Sequence, residues 1–315
     1  MITILMAIYN GETYLREQIE SIIAQTFTDW RLILCDDCSK DSSFEIASDY
    51  ATRYPGKIVA VRNPEPSGSA QNNFMDMLCS ADDDYIMFSD QDDVWLPDKI
   101  RLTYDEMKRQ EGQSPETPVL VHTDLFVTDG ELNVLSRSFM KYSGFNARYN
   151  SLNRLLVQNN ISGCTTMINR SLTKRATGIN LSRIIMHDWW IGLVASAFGR
   201  VGFVKTPTIL YRQHSGNQVG AKNAMSLGYF LGLAKRKMSR SGTGEKTALT
   251  EQPIYVQAMY FYERFADELS PEHRKMLMAY LDLPKKNKIC RICVLIRYRL
   301  LRQRAVYMMG QLMFC

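Results

Sequence analysis

The sequence predicts an α/β fold, a mostly parallel central sheet flanked by helices, with a helical C-terminal extension. Three observations predict it. Short apolar runs alternate with amphipathic helical stripes through residues 2–99, the β-α-β rhythm that builds parallel sheets. Two of those runs end in acidic clusters, Asp36-Asp37 and Asp90–Asp93, and ligands of such sheets bind at the carboxyl ends of strands. Hydrophobic residues make up 45% and charged residues 23% of the 315-residue chain, enough apolar material for a large core.

Residues 2–9 are a continuous apolar run, suited to a strand buried on both faces, and Asn10-Gly11 breaks it. Leu15, Ile19, Ile22 and Ile23 then recur at helical spacing. Arg31–Cys35 is a second apolar run. Ser42-Ser43-Phe44-Glu45 has the capping-box pattern and opens a helix to about Tyr54, which Pro55-Gly56 ends. Ile58–Val61 is the third strand, and Ala70–Cys79 suits a helix after a loop through Pro64, Pro66 and Gly68. Tyr85–Phe88 is the fourth strand and empties into Ser89-Asp90-Gln91-Asp92-Asp93; Pro97 in a first turn opens the next helix. Farther on, Val119–Val127 and Gly163–Ile168 read as strands, His187-Asp188 opens an apolar helix through Phe198, and Val201–Tyr211 reads as a strand. From Ala224 the pattern is helical and then basic. The expected organisation is one domain over 1–220 and a helical region over 221–315, with Ser239–Gly244 the best linker candidate.

The net charge of +5 has a local origin: residues 284–315 hold Lys285, Lys286, Lys288, Arg291, Arg297, Arg299, Arg302 and Arg304 and no acid. Interleaved with Ile289, Ile292, Leu295 and Ile296, these suit a helix lying on an anionic membrane surface. Nucleic-acid binding and a plain solvated face are the other readings; a membrane surface and no nucleic acid is the expectation. Met1–Tyr9 lacks a basic leader, and no run of about 18 apolar residues occurs, so a cytoplasmic chain without a spanning helix is expected, peripheral on the inner face of the plasma membrane. Seven cysteines then read as reduced thiols. Cys35–Cys38 and Cys290–Cys293 are CxxC pairs at opposite ends of the chain, read as a core thiol and a tail coincidence rather than one zinc site.

Asp90, Asp92 and Asp93 crowd one turn and repel one another unless a cation sits among them. Hard oxygen ligands of this kind suit Mg²⁺ or Mn²⁺ shared with substrate phosphates, the alternative being a solvated acidic turn. Asp37 can accept from the imide N–H of a uracil or thymine base, or simply cap a turn. No G-x-G-x-x-G and no G-x-x-x-x-G-K-[ST] is present, which argues against a dinucleotide site and a P-loop. Asp188, taken alone, reads as the N-cap of a helix beginning at Trp189. His214 reads equally as a ligand or a turn residue.

Taken in order, ITILMAIYNGE at 2–12, Cys35-Asp36-Asp37-Cys38-Ser39, SDQDDVW at 89–95 and HDWW at 187–190 resemble the family 2 glycosyltransferases of the GT-A fold. GCTTM at 163–167 and YRQH at 211–214 are similar to their bacterial rhamnosyltransferase branch, and the resemblance spans about residues 1–220. It implies that Ala7, Tyr9 and Glu12 line a nucleotide pocket and that Asp37 holds the base. Asp90 and Asp92 would be the DxD pair around Gln91 at the donor sugar, with Asp92 the direct metal ligand and Asp93 a neighbour. Asp188 would be the catalytic base, and Arg212 and His214 would touch the diphosphate or the metal. Two departures stand out: Gln71 occupies a position where the family often has an arginine, and His187 precedes Asp188 where the family usually has glutamate.

The resemblance implies an inverting, Mg²⁺- or Mn²⁺-dependent transfer, with dTDP-rhamnose as donor and a glycan or polyprenyl-linked acceptor in bacterial surface polysaccharide assembly. A nucleotidyltransferase on a similar core is the first rival, but Asn10-Gly11-Glu12 lacks the Gly/Arg/Lys-rich loop it would need. A catalytically silent sugar-nucleotide or membrane-binding protein is the second, and the intact Asp92 and Asp188 count against it.

Overall fold

The computed structural model describes residues 1–214 and 251–314. The proposed boundary at 220, the onset of the helical pattern at Ala224 and the linker candidate Ser239–Gly244 lie outside the described residues. The chain divides into two compact units, Met1–Ser138 with Ile161–Leu181 and Met186–Ser215, and Phe139–Asn160 with Ser182–Ile185 and Gly216–Cys315.

The first unit is built on strands β1 (Ile2–Ile8), β2 (Trp30–Asp36), β3 (Ile58–Arg62), β4 (Tyr85–Ser89), β5 (Val94–Trp95), β6 (Val119–Thr128), β7 (Val134–Ser136), β8 (Thr166–Asn169) and β9 (Arg200–Arg212). They form a single sheet in the order β3-β2-β1-β4-β8-β6-β9-β5, with β7 on the flank of β6. The strands β1, β2, β3, β4, β6 and β9 run one way; β5, β7 and β8 run against them. The sheet is mixed, mostly parallel, and its helices include those read from the sequence, α1 (Leu15–Ile23), α2 (Ser43–Arg53), α3 (Ala70–Ser80), α4 (Lys99–Glu111) and α8 (His187–Phe198), together with α7 (Arg170–Ala176), which the sequence did not predict. The fold class read from the sequence is borne out.

β1 shows why its sequence is apolar throughout. It lies between β2 and β4, so both of its edges are paired, and Ile2, Ile4, Leu5, Met6 and Ile8, pointing to both faces, are all buried. Each such side chain contributes roughly 1.5–3 kcal/mol relative to exposure. α1 carries a second message besides its apolar stripe. Gln18 donates to Ser89 Oγ (2.7 Å), Ser21 Oγ accepts from Trp95 N (3.0 Å), and Gln25, just past the helix, donates to Leu96 O (2.8 Å) and accepts from Ile100 N (3.1 Å). That polar stripe fastens the loop after β4.

Three local expectations need correction. Gly163–Thr165 winds a short 3₁₀ turn, and the strand begins only at Thr166. The capping box at Ser42 does not close: Ser42 N donates to Glu12 Oε2 (3.0 Å), which takes the place Glu45 would have filled. Pro97 precedes the next helix, which starts at Lys99 behind Asp98.

The second unit contains α5 (Phe139–Ser143), α6 (Leu152–Leu155), α9 (Pro253–Phe265), α10 (Pro271–Leu281), α11 (Lys288–Arg297) and α12 (Ala305–Phe314). Residues 139–160 belong with these late helices because backbone groups near 300 satisfy them. Asn153 Nδ2 donates to Tyr298 O (3.0 Å), Arg154 Nη1 to Leu301 O (3.1 Å), and Gln303 Oε1 accepts from Asn146 N (2.7 Å). Ile185 N likewise donates to Gln257 Oε1 (2.8 Å). No described helix is long and apolar enough to cross a membrane.

Candidate active site

Because β1, β2, β4, β6 and β9 share a direction, their carboxyl ends meet at one edge of the sheet. β8 runs the other way, so its leading turn, Gly163–Thr165, arrives at that same edge. Residues distant in sequence are thereby gathered: Tyr9 to Glu12, Asp36-Asp37, Asp90–Asp93, Gly163-Cys164 and Arg212 to His214.

Asp37 is buried and already well supplied with donors. Its Oδ1 accepts from Ser67 N (2.7 Å) and Asn63 Nδ2 (2.8 Å), and its Oδ2 accepts from Ser67 Oγ (2.8 Å). A carboxylate has about four acceptor positions, so Asp37 is oriented by three bonds with little capacity beyond them. Its neighbour Asp36 points inward, paired with Arg62 Nε at 3.1 Å. Tyr9 is exposed at the end of β1, and Ala7 is half-buried on that strand.

Gln91 closes the first loop onto the acidic turn. Its Oε1 accepts from Tyr9 N (2.8 Å) while its Nε2 donates to Tyr9 O (2.9 Å), so the side-chain amide pairs with the backbone as a neighbouring strand would. Gly11 permits the approach, since a Cβ there would lie 2.4 Å from Gln91 Oε1. Glu12 is engaged nearby, accepting from Ser42 N, while its own N–H donates to Asp41 Oδ2 (3.0 Å). Gln71 donates to Leu181 O (3.1 Å).

The acidic turn has an outer and an inner side. Asp92 Oδ2 lies 2.8 Å from His214 Nε2, and His214 packs against Tyr14 with ring centroids 5.0 Å apart. Asp93 is fully buried; its Oδ1 accepts from Arg212 N (3.2 Å) and its Oδ2 takes no hydrogen bond. Asp90, Asp93 and Cys164 offer ligand atoms that all lie within 4.8 Å of one another. Burial, then the charges of Asp92 and Asp188, pushes the Asp90 carboxyl up to about 7. Burial and the same crowding, from Asp92 and Asp90, push Asp93 well up too.

Arg212 fastens this turn. The buried guanidinium donates from Nε to Asp92 O (2.9 Å), from Nη1 to Gly130 O (2.6 Å) and from Nη2 to Glu17 Oε2 (2.5 Å), and it lies 4.4 Å from the Tyr14 ring.

Asp188 sits in the first turn of α8, whose N-cap is Met186, so it is not the cap residue its sequence position suggests. Its Oδ2 accepts from Gly163 N (3.0 Å) and its Oδ1 from Trp189 N (2.5 Å). Gly163, to which it is bonded, adjoins Cys164, whose Sγ lies within 4.8 Å of oxygens of Asp90 and Asp93, so Asp188 stands next to the acidic turn. His187 is buried against Phe74 and Phe88, at centroid distances of 4.8 and 5.3 Å, and burial lowers its pKa to about 4. A neutral ring packed in the core is what it supplies. Cys164, Tyr14 and Glu17 escaped the sequence reading; only Cys164 lay within a quoted motif, and nothing in its spacing marked it.

Residues 3–175 match the family described as Glycosyl transferase family 2. The chain is also 30% identical to the dTDP-rhamnosyl transferase RfbG of Shigella flexneri, over 75% of this chain and 81% of that protein. The chain belongs to glycosyl transferase family 2. This family 2 glycosyltransferase also matches the succinoglycan biosynthesis protein ExoW of Rhizobium meliloti, 33% identical over 34% of each chain. Among solved structures it resembles S. aureus TarS residues 1–349 in complex with UDP-GlcNAc, with a TM-score of 0.59 at 14% identity, covering 94% of this chain and 80% of that one. At that identity the likeness concerns the fold, and it agrees with the mixed sheet described above.

The residues fit a divalent cation. Asp90 and Asp92 offer hard oxygens on a turn whose crowded carboxyls a cation would relieve, and His214 stands beside Asp92. Of the three ligands expected from the sequence, Asp92 and His214 are in contact, while Asp90 clusters with Asp93 and Cys164.

Proposed function

We propose that this enzyme transfers L-rhamnose from dTDP-rhamnose to a glycan or polyprenyl-linked acceptor, with inversion, in the assembly of a bacterial surface polysaccharide. The observation that carries the reaction is the turn before β8, whose Gly163 N–H bonds Asp188 while the adjoining Cys164 Sγ lies within 4.8 Å of an Asp90 oxygen. A base therefore stands beside a cation-binding turn. The likeness to RfbG supports the donor, and the likeness to ExoW supports polysaccharide assembly.

In this reading Asp92 and Asp90, with His214, hold Mg²⁺ or Mn²⁺, and Tyr9 and Asp37 receive the nucleotide. The bound ion would offset the charge that builds on the departing diphosphate. Asp188 takes the proton from the acceptor hydroxyl as that oxygen attacks the anomeric carbon from the opposite face. Both of its oxygens are held by backbone N–H groups, which fixes its direction before the acceptor arrives.

Purified protein, supplied with a panel of nucleotide sugars, Mn²⁺ and lipid-linked acceptors, should release dTDP from dTDP-rhamnose. Asp188→Asn should lower kcat by about 10²–10⁴-fold and leave donor affinity unchanged. Release from a different sugar nucleotide would replace the donor assignment; full activity of Asp188→Asn would remove the base.

We further infer a peripheral attachment to the cytoplasmic face of the membrane. On α11, Ile289, Cys293 and Ile296 are exposed on one helical face, and Val306, Met309 and Met313 are exposed along α12. Lys285, Lys288, Arg297 and Arg299, exposed in the same stretch of chain, add positive charge.

A further inference from the structure

The loop after β1 is joined to its two neighbours by unequal means. Toward Asp37 the join is backbone. β1 pairs with β2 as far as Ile8 and Asp36, and Asp37 N donates to Ile8 O (2.8 Å). The loop then leans on the residues after β2. Asn10 N donates to Ser39 Oγ (2.9 Å), Asn10 Oδ1 accepts from Lys40 N (2.9 Å), and Gly11 N donates to the buried Ser43 Oγ (2.8 Å). These bonds hold Asn10 at φ 48°, in the left-handed region that asparagine enters more readily than most residues.

Toward the acidic turn the backbone ladder stops early, since β1 and β4 pair as far as Met6 and Ser89. Beyond that point the Gln91 side chain reaches across, with its paired bonds to Tyr9 N and Tyr9 O. Its amide lies against Gly11, where a Cβ would stand 2.4 Å from Oε1, 2.5 Å from Cδ and 2.9 Å from Nε2. A backbone ladder opens only when a strand gives way, whereas a half-buried side chain leaves by rotating about its own bonds. On opening, it regains rotamer freedom and exchanges its bonds for bonds to water, so the open and closed forms lie close in free energy. A ligand that prefers one form then shifts the balance.

We propose that Gln91 is a latch, a positioning residue that couples the nucleoside side of the donor site to the cation-holding turn. Closed, it ties the loop of Tyr9 to Glu12 to the turn of Asp90 and Asp92. A nucleoside seated at one side and a divalent cation at the other both favour that form. The coupling is reciprocal, each ligand tightening the other by the same factor. Gly11 completes the device, because a residue with a Cβ would drive the amide off Tyr9. The inference rests on the reading of Tyr9 and Asp37 as the nucleotide side and of Asp90 and Asp92 as the cation side.

Thymidine is the probe that tests it, because it carries no phosphate to bond the cation directly. Mn²⁺ is titrated into the full chain with and without saturating thymidine, and thymidine with and without saturating Mn²⁺. In the wild type each ligand should tighten the other about fivefold. Gln91→Met keeps the length of the side chain and removes both bonds. Gly11→Ala leaves Gln91 in place and pushes its amide aside, a mild change because the displaced atoms end a flexible side chain. Each variant should still bind both ligands and melt near the wild-type temperature, with the coupling lost. Independent binding in the wild type, or coupling that survives in either variant, overturns the latch. If one variant does not fold, the other decides alone. A wild-type chain that binds no thymidine or no Mn²⁺ overturns the donor-site reading and the latch with it, whereas one that binds both without coupling overturns the latch alone.

Discussion

Arg212 is held by Asp92, Gly130 and Glu17 and packs on Tyr14, so a diphosphate arriving at this edge meets a guanidinium already bonded to the protein. In the proposed reading its effect on a donor would be transmitted through the turn it shapes. His122, deeper in β6, shows the same economy of charge in the core. It is fully buried beside Phe203, neither ring nitrogen has a partner, and burial lowers its pKa from 6.5 to about 3. The unfolded chain takes up this proton first as pH falls, so the stability is fully present above the unfolded value and is lost on the way down to about 3. At pH 5 the loss is about 2 kcal/mol. His122→Leu should consequently gain on the wild type in melting temperature as pH drops from 8 to 5. A constant difference across that range would show that His122 does not titrate with folding.

At the scale of elements, the turn before β8 is the most exacting piece. Gly163 donates to Asp188, and a Cβ on it would lie 2.8 Å from His187 Nε2. His187 cannot retreat, being packed between Phe74 and Phe88. Gly163→Ala should therefore tilt the N–H away from Asp188 and lower kcat about 10–100-fold with donor KM nearly unchanged. An unaltered kcat would mean that the turn does not orient the base. The strands and helices of the sheet were legible because their apolar periods differ, as β1 and α1 illustrate. The Gly163 turn was not, since Cys164 and Thr165 are as buried as strand residues and the apolar pattern reports burial rather than backbone angle. The same limit hid the burial of Lys99, which in a helix reading Lys-Ile-Arg-Leu-Thr-Tyr-Asp-Glu looks like part of a solvated face. Gln18, Ser21 and Gln25 were passed over for a related reason: polar residues inside a helix announce nothing until the loop they fasten is in place. The acidic turn and Asp188 were singled out because charge at a strand end, or ahead of an apolar helix, is conspicuous in one dimension.

On the scale of the whole molecule, the late helices join residues 139–160 and 182–185 in a unit of their own and carry the exposed apolar face of α11 and α12. Introducing Ile289→Glu with Ile296→Glu into the full chain should cut co-flotation with anionic lipid vesicles by about tenfold or more and spare vesicle-free activity. Undiminished flotation would move the attachment elsewhere. The edge that gathers the site has its own consequence, and it concerns time. β9 is the last strand of the sheet to be synthesised, and its register on β6 places Arg212 opposite Thr128. A nascent chain that ends before β9 already carries the sequence of both acidic clusters and of Asp188, yet it lacks the guanidinium of Arg212 and the imidazole of His214 that meet the turn. On the proposed reading of the site, competence to take a sugar nucleotide would arrive only when β9 is in place.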